Sequence, residues 1–279
     1  MNDEINVLFI GDIVGRLGRA ATKTLLPELR KEFSPDVVIA NGENSASGYG
    51  ITEDVYKQLT EMGIDCLTMG NHTFDKKDFA NVINNCTKLI RPANYPPEDP
   101  GQDHMIMNAK GAKVAVLTLL GRVFVHAVDC PFRVGAAMIE KIKKETPIII
   151  VDVHAEATSE KCALGYYFDG TVSAVVGTHT HVMTADERIL SKGTAYISDI
   201  GMVGALDSVI GMDKDQIISR FITQMPNRFE PVTKGPALFN AVMLKIDKTT
   251  GKAKEIRRII RVVQDLEAAE EQKAAQSKG

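Results

Sequence analysis

Five short apolar runs constrain the fold of this 279-residue chain more than any other feature of its sequence. They are residues 5–10, 37–40, 66–69, 148–153 and 172–176, and most of them are rich in Val and Ile. Runs of this length without regular polar alternation are typical of strands buried on both faces. We therefore expect each run to form a buried strand.

Helical patterns separate the first three strands, and strands dominate the rest of the chain. A helix is expected from residue 15 to residue 33, where Pro27 predicts a kink or a split. A second helix should begin after Thr52, which has the side chain of a good N-cap. Residues 241–246 and 256–263 are expected to form a hairpin. This order of elements predicts an α/β sandwich with mixed β-sheets flanked by helices.

Composition and chain layout narrow the class of protein. The chain is 44% hydrophobic and 25% charged, with a net charge of −3, which argues against binding nucleic acid through a broad basic surface. We expect one domain over residues 1–265 and a polar tail over residues 266–279. Asp3 and Glu4 precede a first apolar run too short to span a membrane, so we expect a soluble cytoplasmic protein without a membrane partner.

The four cysteines show no C-x-x-C spacing, which excludes a zinc knuckle and a thioredoxin-type motif. Each lies in or near an apolar run, and we expect reduced thiols in the core. These cysteines are Cys66, Cys86, Cys130 and Cys162.

Each of the five apolar runs is followed by side chains that can bind a metal ion. The carboxyl ends of strands are where α/β sheets gather ligands. The set mixes imidazole, carboxylate and amide oxygen without thiolate, which suits iron, manganese, zinc or cobalt better than a structural zinc site. The donors are too many for one tetrahedral ion and predict two ions that share a carboxylate and attract a phosphate group. The side chains at the strand ends are Asp12, Glu43 with Asn44, Asn71 with His72, His154, and His179 with His181.

Several of these residues, taken singly, have ordinary structural explanations. Asp12 could cap the next helix, Asn71 could occupy a turn and His154 could be a hydrogen-bonded core histidine. The His179-Thr-His181 spacing favours a metal, because residues i and i+2 on a strand end face the same way. Asp199 also ends a strand, and we expect it to have a structural or supporting role.

The order of these motifs resembles the signature of the calcineurin-like metallophosphoesterases, from Asp12 to His181. The variants GDIVG at residues 11–15, NGENS at 41–45 and GNHTF at 70–74 are more similar to the bacterial YmdB subfamily. The wider superfamily has His where this chain has Val14, and a bridging Asp where it has Glu43. YmdB-like proteins share both changes, so the departures do not imply an inactive relative.

The resemblance implies a metallophosphoesterase-type α/β sandwich with two divalent or mixed-valence ions, iron being favoured and manganese, zinc or cobalt the alternatives. It implies Glu43 as a bridge between two ligand sets and His72 as a proton donor rather than a ligand. The first set is Asp12, Glu43, Asn44 and His181, and the second is Glu43, Asn71, His154 and His179.

The implied reaction is hydrolysis of phosphodiesters, including 2′,3′-cyclic nucleotides, by in-line attack of a metal-bridging hydroxide. Two alternatives stay open: a regulatory nucleotide- or RNA-binding protein that uses the metal site, and a phosphomonoesterase or 5′-nucleotidase. A proton donor at His72 favours an enzyme over a binding protein. The expected partner is a small phosphodiester or cyclic nucleotide, with RNA ends and a second copy of the chain as further candidates.

Overall fold

The computed structural model describes residues 3–264 and residue 266, and it contains two mixed β-sheets with helices outside them. The strands of the first sheet are β1 (Glu4–Ile10), β2 (Asp12–Ile13), β3 (Val37–Asn41), β4 (Cys66–Thr68), β5 (Leu89–Ile90), β12 (Met202–Ala205), β13 (Ala237–Asp247) and β14 (Ala253–Val263). The strands of the second sheet are β6 (His104–Ala109), β7 (Ala112–Leu120), β8 (Ile149–His154), β9 (Ala174–Thr178), β10 (Arg188–Ile189) and β11 (Ala195–Ile197). The helices are α1 (Gly15–Phe33), α2 (Glu53–Glu61), α3 (Phe79–Val82), a 3₁₀ turn (Ile83–Asn85), α4 (Pro131–Ile142), α5 (Thr158–Phe168) and α6 (Lys214–Thr223).

Strand order places the predicted ligand-bearing strands of each sheet next to one another. The first sheet runs β2-β12-β13-β1-β3-β4-β5, with β14 also paired to β13, and the second runs β10-β11-β9-β8-β7-β6. The β1-β3-β4 and β7-β8-β9 pairs are parallel, whereas β1-β13 and β6-β7 are antiparallel. Parallel neighbours end at the same edge, so the residues that follow β3 and β4, and those that follow β8 and β9, are neighbours.

Alternate side chains of the same strand contribute to different cores. In β1, Val7 and Phe9 pack between the two sheets, whereas Leu8 and Ile10 pack under α1. A third core lies between the second sheet and helices α4 and α5. Burial on both faces explains why the apolar runs lack polar alternation, and it confirms the predicted α/β sandwich with mixed sheets.

Local details of the sequence prediction mostly hold. The Thr52 side chain accepts a hydrogen bond from the Val55 N–H, as expected of the N-cap of α2. Helix α1 continues through Pro27, so it is not split. The Pro27 side chain is exposed. The expectation of core cysteines was wrong for two of the four, since Cys130 and Cys162 are partly exposed.

The boundary between a domain at 1–265 and a tail at 266–279 stays a prediction. The tail lies outside the described residues, except for Leu266, which packs on the core beneath α1. Within the described residues, no helix combines the length and the apolar character needed to cross a membrane.

Candidate metal centre

The predicted ligands lie where the carboxyl ends of strands from both sheets come together. Close approach of β4 and β8 at this point depends on Gly70, since a Cβ there would lie 2.2 Å from Cδ2 of the His154 ring. Any larger residue would push the imidazole away. The glycine of the GNH motif therefore brings Asn71 next to His154.

Three potential metal-ligand atoms surround the Nε2 atom of His154. This atom lies 2.9 Å from Glu43 Oε1, 3.1 Å from Asn71 Oδ1 and 3.0 Å from His179 Nδ1. One imidazole N–H can satisfy only one of these lone pairs well. Among the described residues, Glu43, His154 and His179 also form a group compact enough to hold a metal ion. The arrangement suits a cation better than a set of hydrogen bonds.

A second group of potential metal ligands also contacts Glu43. Nε2 of His181 lies 3.7 Å from Asp12 Oδ1 and 3.1 Å from Asn44 Nδ2, and the Asn44 amide lies 3.4 Å from Glu43 Oε1. Asp12 is fully buried, yet its Oδ1 finds no hydrogen-bond partner among the described residues. A buried carboxylate oxygen without a partner is costly. Its position beside His181 and Asn44 fits a cation ligand.

The pKa values of these groups show how strongly their charges are coupled. Burial raises the pKa of Asp12 to about 6. Burial also works to raise the pKa of Glu43, but the adjacent His154 outweighs it and lowers that pKa to about 2. Burial works to lower the pKa of His154, while the Glu43 carboxylate raises it to about 9. Burial and the neighbouring His154 charge lower the pKa of His179 to about 3. His179 therefore has a free lone pair at neutral pH.

The two histidines of the His-Thr-His motif do not face the same way, which corrects the expectation from the sequence. Strand β9 ends at Thr178, and both His179 (φ 97°) and His181 (φ 65°) follow it in left-handed backbone conformations. The period-2 rule for strands does not apply to such a turn. His179 joins the donors around His154, and His181 joins those around Asp12.

A buried ion pair holds this turn in place. Nζ of Lys161 donates to Asp199 Oδ2 at 2.6 Å and to the Thr178 carbonyl at 2.7 Å. The same carboxylate oxygen accepts from the Thr180 N–H at 3.1 Å and from the Thr180 hydroxyl at 2.7 Å. The contacts agree with a structural role for Asp199. Lys161 was missed, because a lysine on a helix gives no sign in the sequence that it will be buried.

Hydrogen bonds behind His154 set the direction of its ring. Its Nδ1 lies 2.9 Å from the Thr178 hydroxyl, which donates to Asp152 Oδ1 at 2.7 Å. The Thr68 hydroxyl donates to the other oxygen of Asp152 at 2.5 Å. Such contacts orient a ligating imidazole. The sequence carried one sign of this role, since Asp152 and His154 are two residues apart on β8 and face the same side.

His72 belongs to neither group of donors. Its backbone N–H donates to Glu43 Oε2 at 3.0 Å, and its ring Nδ1 lies 2.7 Å from Asp75 Oδ2. The Tyr49 ring packs edge-on against the imidazole at 5.2 Å between centroids. With Nδ1 bound to Asp75, Nε2 is the atom left to meet a bound molecule.

Comparisons with known proteins agree with this fold. A family model described as YmdB-like protein matches residues 8–259. A Bacillus subtilis protein named 2′,3′-cyclic-nucleotide 2′-phosphodiesterase is 49% identical over 92% of this chain and 97% of its own. A crystal structure described as a novel phosphatase from Mycoplasma pneumoniae matches with a TM-score of 0.88 and 37% identity, covering 97% of this chain and 98% of that one. A hypothetical protein from Thermus thermophilus matches with a TM-score of 0.86 and 38% identity, covering 92% and 99%.

Proposed function

We propose, because this chain belongs to the YmdB-like family, that it is a metal-dependent phosphodiesterase that hydrolyses 2′,3′-cyclic nucleotides. The observation that carries the proposal is the pair of donor groups that share Glu43, with an unpartnered oxygen of Asp12 in one of them. The activity named for the Bacillus subtilis relative supports the choice of substrate. Action in the cytoplasm and association with a second copy stay predictions from the sequence.

The two donor groups fit two ions, each held by four side chains. One ion would be bound by Asp12, Glu43, Asn44 and His181, and the other by Glu43, Asn71, His154 and His179. The donor types favour iron, with manganese, zinc or cobalt as alternatives. When bound, the ions supply Lewis acidity toward the phosphate and an activated water for attack at phosphorus.

His72 would act on the leaving oxygen of the substrate. Its Nδ1 is bound to the Asp75 carboxylate, which fixes the ring and leaves Nε2 to carry a proton outward. Cleavage of a cyclic diester releases a ribose oxygen, which is a poor leaving group unless it gains a proton. The Glu43 carboxylate, which accepts from the His72 backbone N–H, keeps this residue beside the donor groups.

The test compares kcat/KM for a 2′,3′-cyclic nucleotide, a 3′,5′-cyclic nucleotide and the matching monoester, with Fe²⁺ or Mn²⁺ supplied. We expect the 2′,3′-cyclic diester to be the best of the three. A second candidate, a phosphomonoesterase, is favoured by the description of the Mycoplasma relative. Much faster turnover of the monoester than of either diester would establish that candidate instead.

A further inference from the structure

A cationic groove runs along helix α1, away from the donor groups. We call the surface formed by Arg16, Arg19 and Lys23 the α1 groove. These residues stand at positions i, i+3 and i+7 of the helix and share one face. With Ala20 and Gln58 they line a pocket of about 170 Å³ that no acidic side chain borders. Lys23 also borders a larger cleft of about 590 Å³ between α1 and α2, whose lining includes Glu61. In a chain with a net charge of −3, this is a local concentration of positive charge.

Within residues 3–264, none of the three cations forms an ion pair with a carboxylate. Arg19 is half-buried, and its guanidinium donates to the Gln58 side chain and to the Ser45 carbonyl, which are both neutral. Burial and the nearby Arg16 lower the pKa of Arg19. A half-buried guanidinium beside a second arginine, with no carboxylate, is an arrangement that an anion would stabilise.

The groove begins at the loop that carries two of the predicted metal ligands. Ser45, which Arg19 contacts, follows Asn44 directly, and the Gly15 N–H donates to the Asn44 carbonyl at 2.9 Å. Arg16 follows Gly15, so the first cation lies one residue from this contact. From Arg16 to Lys23 the helix rises about 10 Å. The cations therefore begin on the helix turn that contacts the ligand-bearing loop, and only a ligand longer than one nucleotide would extend along them from the donor groups.

We propose that the α1 groove binds the backbone phosphates of an oligoribonucleotide whose terminal 2′,3′-cyclic phosphate occupies the metal centre. The inference rests on the proposed function, since it extends the substrate from a mononucleotide to an RNA end. RNA is the nucleic acid concerned, because a 2′,3′-cyclic phosphate requires a 2′-hydroxyl. Three cations that form no ion pair among the described residues match the backbone of a single strand, which is bound mainly through its phosphates.

The kinetic test uses 2′,3′-cyclic UMP and a hexauridylate that ends in a 2′,3′-cyclic phosphate. The variant is Arg16→Gln with Lys23→Gln, which spares Arg19 and its contact with Ser45. We expect kcat/KM for the hexamer to fall by about tenfold or more, and kcat/KM for the mononucleotide to stay unchanged. The slope of log affinity against log salt for the hexamer should become shallower by about 1.4, because two phosphate contacts are lost.

The matched control is Lys192→Gln with Lys252→Gln. These lysines border a separate cleft beside Pro147 and Val172, near the amino ends of β8 and β9, and form no ion pair within the described chain. This double variant should behave as wild type on both substrates. An equal loss on both substrates in the Arg16/Lys23 variant, or no loss on the hexamer, would overturn the proposal.

Binding without hydrolysis separates this inference from the proposed function. Fluorescence anisotropy of a labelled hexauridylate with a 3′-hydroxyl end needs no turnover, and we expect its affinity to fall in the Arg16/Lys23 variant alone. If no diester is hydrolysed but this loss of affinity is seen, the proposed function is wrong and RNA binding by the α1 groove is supported. If the mononucleotide is hydrolysed but the labelled RNA binds both variants equally, the groove proposal fails. Groove-dependent binding of polyglutamate without RNA binding would also overturn it, in favour of an acidic protein partner.

Discussion

At the scale of single residues, His72 is the side chain whose proposed role is chemical rather than structural. Its ring contacts Asp75 and Tyr49 but none of the donors around His154. We predict that His72→Ala retains its metal and loses about 10²–10⁴-fold in kcat, the usual contribution of a positioned acid. The loss should shrink on a nitrophenyl diester, whose leaving group needs little protonation.

A suitable control for this variant is His104→Ala, because His104 is also partly exposed and also lies beside an aspartate, Asp103, at 2.6 Å. It should leave kcat unchanged. Equal losses for His72→Ala on good and poor leaving groups would show that His72 orients the substrate and does not protonate it.

Metal content tests the assignment of His181 to a separate group from His154. Because Nε2 of His181 lies beside Asp12 and Asn44, we predict that His181→Ala loses most of one ion and keeps the other. Elemental analysis of the purified variant against wild type measures this directly. Full occupancy of both ions in His181→Ala would remove His181 from the ligands.

The raised pKa of Asp12 predicts that the stability of the metal-free protein depends on pH. Its folded pKa of about 6 lies above the ordinary value of 3.8, so between these values the folded protein holds a proton that the unfolded chain has released. In the presence of a chelator, stability should therefore fall as pH rises from about 4 to about 6, by about 3 kcal/mol. Asp12→Asn should lack this part of the pH dependence in urea unfolding with EDTA. Parallel pH profiles for the two proteins would contradict it.

At the scale of elements, the turn after β9 depends on a helix that lies far from it in sequence. Lys161 of α5 and Asp199 are both buried, and together they hold Thr178 and Thr180. We predict that Lys161→Met lowers the free energy of unfolding by about 3–5 kcal/mol, because it leaves a buried carboxylate unpaired. Urea unfolding measures the loss, and adding Asp199→Asn should restore part of it.

The exposed pair Lys113–Glu145, with 3.1 Å between Nζ and Oε2, provides the comparison. Lys113→Met should cost about 1 kcal/mol or less, as is usual for exposed pairs. If Lys161→Met costs no more than Lys113→Met, the buried pair does not hold the turn.

At the scale of the whole molecule, each donor group takes side chains from both sheets. Asp12, Glu43, Asn44 and Asn71 lie at strand ends of the first sheet, whereas His154, His179 and His181 lie at those of the second. The donor groups therefore exist only when the sheets are packed together over the core that they share. The same packing leaves the α1 groove open at the outer side of the first sheet.

The sequence by itself determined the long buried strands, the fold class and the family, because continuous apolar runs dictate two-sided burial and the motifs at their ends have a recognisable order. The short strands β2, β5, β10 and β12 were not predicted. Only the tertiary structure decided which ligand side chains belong to which of the two donor groups. The left-handed turn at His179 and His181 sends two neighbouring imidazoles to different groups, and no local periodicity encodes that conformation. Lys161, Asp152 and the α1 groove acquire their roles from partners tens of residues away, since burial and unpaired charge are properties of packing and not of sequence position.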